Sequence, residues 1–285
     1  MGRPETGGNY WHQPAFDAEN QETDNIYQRL EDSEAEKLIN ERLGQEKLQE
    51  TADVYHLLER EAGLLPESFE KTETMVADLA RLLLELEKDL VSYDTIISDD
   101  SSGRLPSLLL RKLIDGKRKA AGLPLVKTFF IASGRHDFEL LKDKLAEFIK
   151  QHQQDSSKFL LVTEHIGSGK SIEAVVKLFE ELNLDFDLAA ISLADRRQML
   201  KGAAKSYPNH LRYGGLNDSG YYFYGHLGSG VVKDTFAHNS TVSIHPLKII
   251  NHQKPDALES QELINKARKN INFLAEQLQP LVESK

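Results

Sequence analysis

The sequence predicts an α/β fold, a three-layer α/β/α arrangement with a mainly parallel sheet, and three observations carry the prediction. Short apolar and β-branched runs alternate with amphipathic helical stretches from residue 95 to residue 193. Two junctions between such a run and the following helix hold small polar loops, at 99–104 and 164–171. The acidic charge gathers at one end: residues 1–63 hold fifteen Asp and Glu against six Lys and Arg, a net of −9 out of −10 for all 285 residues.

Taken in order, residues 1–32 are rich in Gly, Asn, Gln and Glu and poor in aliphatics, and read as a disordered acidic tail. Ser33 and Glu36 form a capping box, after which Leu38, Ile39, Leu43, Leu48, Val54, Leu57 and Leu58 trace an interrupted helical stripe. One or two helices over 34–61 and another over 66–90 give a helical extension, 33–90, that packs on the main domain. That domain, 91–250, runs as strand 95–98, helix 105–114, strand 126–132, helix 138–150, strand 159–163, helix 171–182 and strand 188–193. The stretch 207–234 has too many glycines and aromatics at irregular spacing for regular elements. Leu258, Leu263, Ile264, Ala267, Ile271, Leu274 and Leu278 mark an amphipathic helix over 257–283, in a C-terminal segment 251–285, that packs internally or forms a homodimer contact.

Composition removes several functions. There is no cysteine, hence no disulfide framework and no thiol chemistry. The start lacks a basic-then-apolar leader and no run approaches ~20 apolar residues, so a cytoplasmic protein without membrane contact is expected. The acidic balance argues against broad nucleic-acid binding, and the basic cluster Arg111, Lys112, Lys117, Arg118 and Lys119 reads as a solvated face. The histidines show no metal-ligand spacing, His238 and His245 included, and no GxSxG is present.

The most specific stretch is KFLLVTEHIGSGKSIEAVVKLFEEL, 158–182, in which an apolar strand passes through a Gly/Ser loop straight into a helix. At such a junction the first helical N–H groups have no partners within the helix, and the aligned peptide dipoles favour an anion there. Gly167 and Gly169 let the backbone approach an anion closely, Ser168 and Ser171 offer hydroxyls, and Lys170 a full charge. A Walker A loop needs glycine where Glu164 stands, and a dinucleotide fingerprint needs it where Ile172 stands.

FLLVTEHIGSGKS resembles the phosphoribosyl pyrophosphate motif of the type I phosphoribosyltransferases: four apolar residues, two acids, a few small residues, then Ser/Thr and Gly opening a helix. The resemblance spans about 89–193 and implies that Glu164 and Thr163 face the ribose, while His165 and Gly167 to Ser171 surround the 5′-phosphate. Upstream, SYDTIISDDSSGRLPSLLLRKLI, 92–114, resembles the family's pyrophosphate loop. It implies that Ser101, Ser102, Gly103 and Arg104 contact the pyrophosphate, Arg104 stabilising leaving-group charge. Asp99 and Asp100 read either as plain turn and helix caps or as carboxylates holding Mg2+ through water. The implied activity is phosphoribosyl transfer to a nucleobase-type nitrogen, and Tyr221, Tyr222, Phe223 and Tyr224 would stack on the base within a hood over 207–250.

The chain departs from the family pattern at named places. Thr163 stands for the first acid and His165 for an apolar residue, and Gly167 stands where Thr, Ala or Ser is commoner. Residues 133–157 show SGRH, with Arg135 and His136, and then a helical pattern where the family has a flap hairpin. These departures set out a second reading, a non-catalytic binding or regulatory protein on the same fold; a P-loop nucleotide-binding protein comes third because of Glu164.

Overall fold

The structure, a computed structural model, describes residues 26–28, 33–63, 69–99, 103–131, 143, 146, 147, 149, 150, 158–195, 210–217, 231–233, 242–244 and 257–283. Its helices are α1 (Ser33–Arg42), α2 (Gln45–Glu61), α3 (Phe69–Leu86), α4 (Arg104–Ala120), α5 (Lys170–Glu181) and α6 (Ala257–Val282). Its strands are β1 (Tyr93–Asp99), β2 (Lys127–Ile131), β3 (Lys158–Ile166), β4 (Asp185–Leu193), β5 (Leu211–Leu216), β6 (Val231–Lys233) and β7 (Val242–Ile244). Strands β1 to β5 form one sheet in the order β2-β1-β3-β4-β5, with every pair parallel, while β6 and β7 form a small antiparallel ribbon.

The expected α/β alternation is present, with helices on both faces of the parallel sheet. Ile96, Leu160, Val162, Ala189 and Ile191 point to a face covered by α2, α3, α4 and α6. Ile97, Phe159, Leu161, Leu188 and Ala190 point to the other, where Val175, Val176 and Phe179 of α5 pack. The chain leaves β1 one way along the sheet to β2 and leaves β3 the other way to β4. Right-handed crossovers in opposite directions put α4 and α5 on opposite faces. The sheet therefore has its switch point between β1 and β3, which are direct neighbours.

Four expectations change. Leu211–Leu216, in the stretch read as irregular, is the fifth strand. Strand β3 runs on to Ile166 because β4 extends beside it and pairs His165 with Ser192 and Ile166 with Leu193. Residues 26–28, read as part of the tail, are helical: Ile26 is buried, and Tyr27 Oη donates to Asp195 Oδ1 at 2.9 Å. Arg118 is no solvated cation; it is buried and donates to the carbonyls of Pro124, Val91 and Tyr93 at 2.6, 2.7 and 2.9 Å.

The helical layer shares one core with the sheet. Ile39, Tyr55, Leu79, Leu109, Ile271 and Leu278, from α1, α2, α3, α4 and α6, share it with the sheet. Within α2 the stripe is displaced from the one read through Leu57 and Leu58. Thr51, Ala52, Tyr55 and Glu59 are buried, four-residue steps along one face, while Leu57 is 52 % exposed. Glu36 pairs with Arg81 of α3 at 2.8 Å, which ties α1 to its neighbour. The apolar stripe of α6 is buried against these helices at Ala267, Ile271, Leu274, Ala275 and Leu278. No helix among the described residues is long and apolar enough to cross a membrane.

At the amino ends of the strands lies a buried charge cluster. Asp187 of β4 accepts from Tyr93 Oη at 2.6 Å, Lys158 Nζ at 2.8 Å and Arg212 Nη2 at 2.9 Å, which joins β1, β3, β4 and β5. Burial, with the Asp187 carboxylate beside it, pushes the Tyr93 hydroxyl far up, so it stays a donor.

Candidate functional site

Ligands of open parallel sheets settle beyond the carboxyl ends of the strands at the switch point. Here β1 ends at Asp99 and β3 at Ile166, so both sequence-identified loops start from adjacent strand ends.

The loop after β3 is three residues long, Gly167, Ser168 and Gly169, before α5 opens with Lys170 and Ser171. Gly169 occupies the left-handed region at φ 74°, which a side chain disfavours. Its carbonyl accepts the first helical bonds, from Ile172 N at 3.1 Å and Glu173 N at 2.9 Å, and no side chain caps the helix there. Ser168 is exposed. A Cβ on Gly167 would meet only His165 Nε2 at 4.0 Å, so that position does not require glycine for space.

Thr163, Glu164 and His165 belong to β3, not to the loop, and so alternate in direction. Thr163 and Glu164 are buried and His165 is half-buried. Thr163 pairs with Ala190 and His165 with Ser192, which sets Glu164 beside Ile191 in the row facing the helical layer. His165 Nδ1 lies 3.0 Å from Ser192 Oγ, and burial pushes the ring down to about 4. Near pH 7 the imidazole is neutral: beside a phosphate it offers a hydrogen bond and no charge.

The upstream loop is described in part. Asp99 ends β1, while Asp100, Ser101 and Ser102 lie outside the described residues, as do Arg135 and His136 and the aromatics 221–224. Gly103 is the N-cap of α4 and accepts from Ser107 N at 2.9 Å. Arg104 is 5 % exposed, with its guanidinium carbon 4.4 Å from the Phe130 ring centroid on β2, stacked on the adjacent strand. Among the described residues no group of three or more His, Cys, Asp or Glu gathers as a metal site.

The sequence reading missed Glu59. It is 4 % exposed, accepts from Tyr55 Oη at 2.7 Å, and lies on α2, which covers the face that Glu164 points to. Burial pushes its carboxyl up to about 8, against the Tyr55 hydrogen bond and with the negative charge of Glu164 adding to the rise. The available signal was Thr51, Tyr55 and Glu59 at steps of four, with a carboxylate on the buried face.

These two groups shape the pH dependence of stability. Glu59 binds its proton more tightly folded than unfolded, so its contribution is full below about 4.5 and is lost as pH rises to about 8. His165 binds its proton less tightly folded, so its contribution is full above about 6.5 and is lost as pH falls to about 4. The two slopes oppose between 4.5 and 6.5, and from 6.5 to 8 only Glu59 remains. Urea unfolding is expected to show the wild type losing a few kcal/mol between pH 6.5 and 8.5 and Glu59→Gln staying level. Equal losses in both would remove Glu59 as the cause.

The chain matches no protein-family model, no curated protein and no solved structure.

Proposed function

We propose that this protein binds a phosphorylated ribose, phosphoribosyl pyrophosphate in its fullest form, on a phosphoribosyltransferase-like sheet. The observation that carries the reading is the placement of two strand-to-helix loops on the adjacent ends of β1 and β3. In this reading the backbone N–H groups of 167–171 take the 5′-phosphate, helped by the Ser168 and Ser171 hydroxyls and Lys170. Thr163 and Glu164 serve the sugar side, neutral His165 lends the 5′-phosphate a hydrogen bond, and Ser101, Ser102, Gly103 and Arg104 serve the pyrophosphate. Asp99 and Asp100 supply hard oxygen donors suited to Mg2+, which would screen pyrophosphate charge when bound. Transfer would break the bond from C1 to the pyrophosphate oxygen and form one to a nucleobase-type nitrogen, with positioning and charge stabilisation as the protein's share.

A second reading, a binding or regulatory protein without transfer, is favoured by the stacking of Arg104 on Phe130 and the burial of Glu164. One experiment orders the two. Calorimetry with phosphoribosyl pyrophosphate and Mg2+, ribose 5-phosphate and ATP is expected to show ribose-phosphate binding, weakened about tenfold or more by Glu164→Ala as a charge-assisted hydrogen bond is lost. Pyrophosphate release with added bases would then mark a transferase, and binding without release a regulator. No binding at millimolar ligand would sink the ribose-phosphate reading, and ATP binding that needs Lys170 but not Glu164 would favour a nucleotide site.

A further inference from the structure

Strand β3 turns Phe159, Leu161, Thr163 and His165 to one face of the sheet, the face on which α5 packs. Two apolar residues thus give way to a hydroxyl and an imidazole as the row nears the loop. Beside His165 on β4 stands its register partner Ser192, 0 % exposed, with Oγ 3.0 Å from His165 Nδ1. A serine and a histidine taken out of water at a strand end cost stability that two apolar residues would not, so the pair calls for a role.

The geometry of the pair decides where the ring carries its hydrogen. Burial pushes the imidazole down to about 4, so near pH 7 it holds one hydrogen on one of its two nitrogens. A hydroxyl closed off from water needs an acceptor for its own hydrogen, and Nδ1 lies at hydrogen-bond distance. With Ser192 Oγ donating, Nδ1 accepts and the ring hydrogen sits on Nε2. That second nitrogen lies at the loop, because a Cβ built on Gly167 would stand 4.0 Å from it. The chain crosses the same face as it passes from Ile166 into α5 at Lys170.

We propose that Ser192 is a positioning residue of the phosphate loop: by donating to Nδ1 it holds the His165 ring with Nε2–H toward Gly167, as a hydrogen-bond donor to a phosphate oxygen. The inference rests on the ribose-phosphate reading and deepens it by making β4 part of the site. It also bears on specificity. A ring nitrogen that donates suits a phosphate dianion, whose oxygens only accept, and disfavours a ligand group that must itself donate at that point.

Two substitutions test it. Ser192→Ala removes one hydroxyl, and His165→Gln puts an amide N–H near the place of Nε2 that needs no partner at Nδ1. The ring nitrogens of 15N-labelled histidine are observed by NMR at pH 7 without ligand, with His165→Gln to assign the His165 signals. Expected is one tautomer in wild type, its hydrogen on Nε2, and a mixture of two in Ser192→Ala. A wild-type ring with its hydrogen on Nδ1, or a ring unchanged by Ser192→Ala, overturns the proposal.

Calorimetry with ribose 5-phosphate at the same pH reads the contact itself. Ser192→Ala is expected to weaken binding about three- to tenfold, as a hydrogen bond to a charged group is loosened rather than removed, and to change nothing in the His165→Gln background. Equal weakening in both backgrounds would make Ser192 a packing residue, and no weakening in either would take His165 away from the phosphate; both results overturn the proposal while the ribose-phosphate reading stands. If wild type binds no ribose 5-phosphate at millimolar concentration, that reading falls and the phosphate contact with it, while the NMR result still decides how Ser192 sets the ring.

Discussion

Gly214→Ala is expected to cost about 3 kcal/mol or more of stability, the upper end of what an overpacked interior costs. Its Cβ would overlap the Asp78 carbonyl oxygen of α3 and lie 2.5 Å from the carbonyl carbon and 2.9 Å from Ile191 O. Both neighbours are backbone, so no rotamer change can relieve the contact; the helix itself must lift from β5. Lifting α3 loosens Val76, Leu79, Ala80 and Leu83, all fully buried. Gly215→Ala is the informative companion, because its Cβ would meet the Asp78 carboxylate, a side chain able to turn aside. Urea titration should rank Gly214→Ala well below Gly215→Ala in midpoint. Equal midpoints would mean that α3 is free to move on the sheet.

Asp187→Ala should remove about 3 to 5 kcal/mol, because it leaves Lys158 and Arg212 confined together without their shared anion. For a chain of this size that loss corresponds to roughly 10 °C in melting temperature. Asp187→Asn keeps an acceptor for the Tyr93 hydroxyl while removing the charge, and separates the hydrogen bond from the ion pairs. A melting temperature unchanged in the alanine variant would show the cluster to be energetically neutral. The cluster sits at the amino ends of the strands, opposite the candidate site, so ribose 5-phosphate affinity of the folded variant should match wild type.

Much of the fold was legible because parallel strands buried on both faces must be continuously apolar, as FLLV and LAAISL are, and because α4 and α5 repeat their apolar residues at helical spacing. Strand β5 was hidden by the residues that make it fit. LRYGGL carries two glycines, poor strand formers, of which Gly214 admits the α3 backbone and Gly215 the Asp78 carboxylate. In the site, sequence order placed the loops but not the directions of side chains. Nothing local tells that Arg104 stacks on Phe130, twenty-odd residues on, or that β4 holds β3 extended long enough to put Glu164 on a strand. Glu59 stayed out of view because leucines at 57 and 58 draw the eye to a face of α2 that is half outside the core.

The way α6 fastens the N-terminal helices has a consequence in time. Arg42 reaches the Leu281 carbonyl at 2.7 Å across 239 residues, and Lys266 reaches that of Ala62 at 3.2 Å across 204. The layer over one face of the sheet thus closes only when distant parts of the chain meet, and contacts of that kind form late and slowly. Until they form, Tyr55 and its neighbours lack much of their cover, and the nascent chain presents an apolar face that other molecules can occupy first.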